Sequence, residues 1–276
     1  MFEWRETLSL YVGAFRAQLR ITLAVQFQYR ASLAIWVLFT VLQPLLLLSV
    51  WSAVAQSGDT GSHVLGYTPE DFAGYFLINM WVAHLTFNGV LAFFEGRVRR
   101  GEFSPRLLRP IHPISSDIAD NVAFKLLTLP VLALATLVLI PTFRPRIDPA
   151  SWAVVAFVPA LILAYVVQFI ITWIVGLAAF WLTRTQAVYV GFVLLLRFLA
   201  GQVAPLALLP GWVQTVAWLS PFRWMLAFPT ELLLGRVSAE ETLRGLGMQL
   251  VWSLASVVLL VLCWGVAVRR YTAVGG

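Results

Sequence analysis

Apolar stretches long enough to cross a bilayer alternate with short polar segments along almost the whole chain, and charge is concentrated in the segments between them. That pattern predicts transmembrane helices, each needing about 20 predominantly apolar residues. Residues 31–55 are uncharged, with Pro44 placed to permit a kink. Thr68-Pro69-Glu70-Asp71 then supplies an N-cap, a first-turn proline and acids for the positive end of a helix dipole, so a second span is predicted over 72–94. A third is predicted over 119–140, with Lys125 near enough to its end to snorkel toward headgroups. Asp148-Pro149 repeats the cap-then-proline pattern ahead of a fourth run, 151–182, and Ser238 with Glu241 makes a capping box before the last, 246–268.

The stretch between the fourth and last runs is irregular. A fifth span is predicted over 187–208, apolar except for Arg197, but Gly201, Pro205, Pro210 and Gly211 interrupt it and Ser220-Pro221 divides the apolar run that follows. Broken backbone at membrane depth survives only where protein or water covers it, so residues 209–234 are expected to fold back as a re-entrant helical hairpin. The N-terminal 1–30 is different again. Arg5, Ser9, Gly13, Arg16 and Arg20 fall within a stripe of about 80° on a helical wheel, beside Leu8, Tyr11, Phe15 and Leu19, which predicts an amphipathic elbow helix lying among anionic headgroups. The expected fold class is an all-α integral membrane protein: six transmembrane helices, an N-terminal interfacial helix and a re-entrant hairpin between spans 5 and 6. With no internal repeat, it forms one transmembrane domain over 1–276.

Composition agrees. Of 276 residues, 60% are hydrophobic and 12% charged, with a mean hydropathy of +0.84, whereas a soluble domain carries about 25% charge. The net charge of +6 could suggest nucleic acid, but the arginines lie between apolar runs and no basic domain exists to hold a duplex, so nucleic acid is not an expected partner. Under the six-span topology thirteen of the nineteen basic residues fall on one side and five on the other, leaving Arg197 within the membrane. The positive-inside rule makes the richer side cytoplasmic and puts both termini there, in a multi-pass protein of the cytoplasmic (inner) membrane. One cysteine, Cys263, excludes an internal disulfide and a cysteine-based metal cluster. No cleavable signal is expected, because 1–30 lacks a short apolar core followed by a small-residue cleavage site.

Residues 97–114 carry the most information. They read RVRRGEFSPRLLRPIHPI, with Ser104 a candidate N-cap, Pro105 in a first turn, and Pro110 and Pro113 as stops. About one and a half helical turns would project Leu107 and Leu108 from an arginine-rich rim. Such a knob suits either a partner's groove or a loop resting on headgroups. On the second span Trp81, His84 and Asn88 share one helical face, suited to interhelical hydrogen bonds or a translocation path. Arg197 needs a partner or water, and Glu231 on the folded-back segment is the first candidate. There is no G-x-x-x-x-G-K-[ST] loop, H-E-x-x-H or G-x-S-x-G, and His63, His84 and His112 are dispersed over three regions. The chain therefore has no phosphate cradle, no catalytic residues and no metal site of its own.

The elbow, the six spans, a cytoplasmic segment resembling G-x-x-x-x-x-L-L-R-P, and a broken fifth span with G-x-x-x-P-L-x-x-L-P together resemble the type-2 permeases of ATP-binding-cassette exporters. The first motif is Gly101, Leu107, Leu108, Arg109 and Pro110; the second is Gly201, Pro205, Leu206, Leu209 and Pro210, followed by Ser220-Pro221-Phe222 and Pro229-x-Glu231. The resemblance implies that Gly101, Glu102, Phe103, Arg106, Leu107, Leu108, Arg109 and Pro110 belong to an ATPase-coupling helix. It implies that Gly201, Pro205, Leu206, Pro210, Pro221 and Glu231 belong to an external gate with re-entrant helices. It further implies nucleotide-binding ATPase subunits as partners, which bind the ATP and Mg, and a second permease subunit, either an identical copy or a paralogue, within membrane lipid. The expected function is export of amphipathic, drug-like or lipid-like cargo by alternating access. An ion-coupled transporter or channel would draw on membrane carboxylates, and no Asp or Glu lies mid-span; a non-transporting scaffold is the other alternative.

Overall fold

The computed structural model describes residues 2–57, 66–182 and 184–271, with side chains from residue 9 onward and not for 56 and 57. The expectation for His63 thus lies outside the described residues, and those for the side chains of Arg5 and Leu8 outside the described side chains. Among the described residues the chain is all-helical. The helices are α1 (Phe2–Gln28), α2 (Arg30–Ser57), α3 (Pro69–Thr86), α4 (Val90–Arg99), α5 (Phe103–Leu107), α6 (Ile114–Phe143), α7 (Ser151–Gly176), α8 (Gln186–Leu199), α9 (Gly211–Leu219), α10 (Phe222–Met225), α11 (Ala227–Leu233) and α12 (Ala239–Arg270).

Among the described residues five helical units are long and apolar enough to cross a membrane: α2, α3 with α4, α6, α7 with the 3₁₀ turn that extends it, and α12. The α3–α4 unit is the central one. Of its most apolar window 56% is buried, against 11–33% for the other four, so lipid-facing surface is left mostly to the outer helices. One end of the bundle gathers Arg97, Arg106, the close of α7 and Tyr271, through Phe103 packed on Phe180 and Tyr271. The opposite end gathers the start of α3, Arg146 and Arg236, through Arg146 N donating to Glu70 O at 3.0 Å and Arg236 reaching Asp71 at 3.1 Å.

Local signals explain several starts. Thr68 Oγ1 accepts from Asp71 N while Thr68 N donates to Asp71 Oδ2, a reciprocal cap with Pro69 in the first turn. Ser238 and Glu241 do the same for α12. The Asp148-Pro149 expectation is corrected: α7 is capped by Ala150 in an extended conformation with no side-chain bond, so the proline lies before the cap and Asp148 is too early to reach the first turn. The N-terminal helix α1 is joined to the bundle. It packs along the first half of α6, with Gln18 and Thr22 donating to Asp120 Oδ1 at 3.1 and 2.6 Å and Gln26 to Asp120 O at 3.2 Å, while Arg16 and Arg20 remain exposed.

The predicted fifth span, 187–208, is shortened. Its helix, α8, has 14 residues, about 21 Å at 1.5 Å per residue, which falls short of a bilayer core of roughly 30 Å. The stop is glycine chemistry: Gly201 has φ +76°, and Gln202 N closes onto Arg197 O at 3.0 Å. From there to Leu234 the chain breaks into a 3₁₀ turn and α9, α10 and α11. Gly201→Ala is expected to cost about 1–2 kcal/mol from the left-handed backbone alone. More is added because a Cβ there would fall 2.6 Å from Tyr75 Oη. A lower unfolding temperature in detergent, read by fluorescence-detected size exclusion, checks this.

Candidate functional site

At the arginine-rich end, α4 closes with a second glycine stop. Gly101 takes φ +71°, its N–H bonds Val98 O at 3.1 Å and Glu102 N bonds Arg97 O at 2.9 Å. The chain turns at once into α5, whose cap is Glu102 and not Ser104: the glycine turn brings the helix forward by two residues and places Ser104 inside it. Ser104 Oγ instead meets Tyr271 Oη at 2.9 Å. Phe103 is fully buried against Phe94, Phe180 and Tyr271. Leu107 is half-buried, whereas Leu108 is 88% exposed, with Arg109 and Pro110 exposed beside it. Arg100 donates to Glu102 at 2.5 Å, and that hydrogen bond holds the Glu102 carboxyl below the usual carboxylate range.

Asp117, in the first turn of α6, fastens this segment to the bundle. Its side chain is 1% exposed; Oδ1 accepts from Arg97 at 2.6 Å and from Arg106 at 3.0 Å, and Oδ2 accepts from Trp173 Nε1 at 2.9 Å. One carboxylate thus ties α4, α5, α6 and α7 together. Arg97 also reaches toward Asp120 at 3.9 Å, and Asp120 holds α1. His112 packs its ring on Trp173 and Trp264, and burial there pushes the imidazole below its usual range. A pocket of about 400 Å³ lies between α1 and this segment, lined by Phe15, Gln18, Arg106, Arg109 and Pro113 among others.

The stripe on the second span spends its polar groups between helices. Trp81 Nε1 donates to Thr136 Oγ1 at 2.9 Å, His84 Nε2 meets Thr128 Oγ1 at 2.9 Å, and Asn88 Nδ2 approaches Thr172 Oγ1 at 3.5 Å. The span itself is interrupted at residues 87–89, between α3 and α4. Lys125 is not snorkelling: it turns inward to the carbonyl of Phe87 at 3.1 Å, because that freed acceptor at the carboxyl end of α3 attracts a cation.

Around the shortened span, Tyr75 Oη donates to Gly201 O at 2.7 Å and Trp51 Nε1 to Val203 O at 2.9 Å. Pro205 and Leu206 are buried, Pro210 is exposed at the cap of α9, and Pro221 caps α10. The pairing expected between Arg197 and Glu231 is not present. Glu231, in α11, accepts from Arg223 of α10 at 2.7 Å, eight residues away, and Arg197 is exposed on α8. The near guanidinium wins because the short helices turn it back onto the carboxylate, whereas α8 faces Arg197 outward. Gln249 of α12 bonds the carbonyls of Ala160 and Trp224 at 2.9 and 2.8 Å and closes this region from behind.

Asp117, Asn121, Tyr75, Arg223 and Gln249 were not indicated by sequence. Their partners lie on other helices, and only the isolated polar positions in apolar runs could have flagged them. A family model described as ABC-2 family transporter protein matches residues 32–275. Comparison with curated proteins finds no match.

Proposed function

The chain belongs to the ABC-2 transporter family, and from that premise we propose that it is the transmembrane permease subunit of an ATP-driven exporter, moving amphipathic, drug-like or lipid-like cargo by alternating access. Membership makes it a multi-pass membrane permease of an ABC transporter that associates with an ATP-binding subunit. In this reading the arginine-rich end and both termini face the cytoplasm, the protein sits in the cytoplasmic membrane, and a second permease, identical or paralogous, completes the pathway. Residues 97–114 serve as the coupling helix, and Gly201 to Leu234 form the external gate with re-entrant helices. Hydrolysis belongs to the partner, which binds ATP and Mg.

The observation that carries the proposal is Leu108, an apolar side chain 88% exposed at the end of a short helix that Asp117 rivets to three other elements of the bundle. An exposed leucine on a rigid mount is what a partner's groove can grip. Force applied there passes through Arg106 and Asp117 to α6 and Trp173 of α7, and through the turn at Gly101 into α4. Closure of the ATPases on nucleotide would then shift the bundle between two arrangements.

Reconstitution in lipid vesicles with the cognate ATPase tests this. Hydrolysis is expected to rise on adding the permease, and cargo is expected to move only when both subunits and ATP are present. A purified chain that transports without any ATPase overturns the proposal.

A further inference from the structure

The interruption in the central span exposes helix-end groups where water is scarce, and a single cluster covers them. The carbonyl of Phe87 accepts from Asn121 Nδ2 at 3.0 Å and from Lys125 Nζ at 3.1 Å, while Lys125 also donates to Asn121 Oδ1. The ammonium lies 4.2 Å from the ring centroid of Tyr165 on α7, a favourable cation–π distance. Lys125 is the chain's one lysine, sits about 17 Å up α6 from its first residue, and among the described residues makes no ion pair. Its charge is balanced only by dipoles: the carboxyl end of α3, an amide oxygen and an aromatic face.

Three further buried polar atoms on the neighbouring elements are unpartnered: Asn88 Oδ1 in the interruption itself, and Tyr165 Oη and Gln168 Oε1 on α7. Tyr165, Gln168 and Thr172 share one face of α7, and Thr172 receives Asn88. Two free acceptors therefore stand on the elements that flank a cation held by no carboxylate. A lysine has three donors on a flexible stem and can change acceptors without breaking an ion pair. Below the interruption, α4 runs without a break into the glycine turn that bears α5.

We propose that Lys125, with Asn121, is a positioning residue that pins the break at residues 87–89 by holding the Phe87 carbonyl, and that it passes to Asn88 Oδ1 or Gln168 Oε1 when α4 is pushed. The break is then the hinge through which motion at the coupling segment reaches α3 and the far half of the bundle. This rests on the reading of residues 97–114 as the ATPase contact.

The test uses the permease–ATPase complex in lipid nanodiscs, in a Cys263→Ser background, with spin labels at Phe93→Cys on α4, outside the coupling segment, and Trp212→Cys on α9, both exposed. Nucleotide is expected to change the distance between labels in the parent. Lys125→Met is expected to broaden that distance distribution and raise amide exchange at 87–90 about tenfold, the effect of one lost charge-assisted hydrogen bond. The same variant should keep ATPase binding, and Lys125→Arg should restore the parental distances. Parental distances and exchange in Lys125→Met overturn the proposal. So does a failure of both variants to assemble, which would make the lysine a packing element only. A parent whose labels do not respond to nucleotide, or which does not bind the ATPase, overturns the coupling reading and this inference with it.

Discussion

Asp117→Ala is expected to cost about 3 kcal/mol or more and to free the segment from Arg97 to Arg109 from the bundle. The reason is asymmetric. A buried ion pair contributes little net stability against an apolar substitute, but removing one partner leaves the others desolvated and unmatched. Here the change strands Arg106, 19% exposed, and the indole N–H of Trp173, and leaves Arg97, 14% exposed, only its 3.9 Å contact with Asp120. Asp117→Asn keeps the shape and an acceptor for Trp173 while removing the charge, so it separates the electrostatic part from the packing. Thermal unfolding in detergent should fall in both variants, furthest for alanine, and limited trypsin digestion should cut after Arg100 or Arg106 sooner than in the parent. Unchanged melting and digestion in Asp117→Ala would show that the segment is held by Phe103 and its aromatic neighbours alone.

Leu108→Asp is expected to weaken ATPase binding roughly 100-fold, since a leucine at the centre of a contact contributes most of 3 kcal/mol and an unpaired carboxylate opposes burial. Because Leu108 is 88% exposed, the substitution removes no internal packing, and expression and melting temperature should match the parent. Leu107→Asp is less clean: that side chain is half-buried, so its loss mixes folding with contact. Surface plasmon resonance of the detergent-solubilised permease against its ATPase, with stimulated hydrolysis measured in parallel, reads both quantities. Full binding and stimulation by Leu108→Asp would remove residues 97–114 from the interface.

These two residues illustrate what was legible before the structure. Leu108 was visible because the signal is local: two leucines between arginines, bounded by Pro110 and Pro113. The caps at Thr68 and Ser238 were legible for the same reason, each being closed within four residues. Asp117 was not. Its partners Arg97, Arg106 and Trp173 lie 20, 11 and 56 residues away, and nothing in the local pattern distinguishes it from a carboxylate in a polar first turn. The same limit makes Glu231 the candidate partner for Arg197 on sequence: a folded-back segment brings many side chains within reach, and Arg223 lies closer. The inward turn of Lys125 depends on a break in another helix, which the apolar run from 72 to 94 conceals because its residues suit continuous helix as well as interrupted helix.

The attachment of α1 to α6 has a consequence for how the protein meets lipid. Gln18, Thr22 and Gln26 grip Asp120 along one face, and Arg16 and Arg20 stand on the other. A helix held this way cannot roll or float to its own preferred depth. On the orientation proposed above, a pull by anionic headgroups on those arginines would be delivered to the root of the neighbouring span, and phospholipid composition would then bias the transporter's posture ahead of nucleotide.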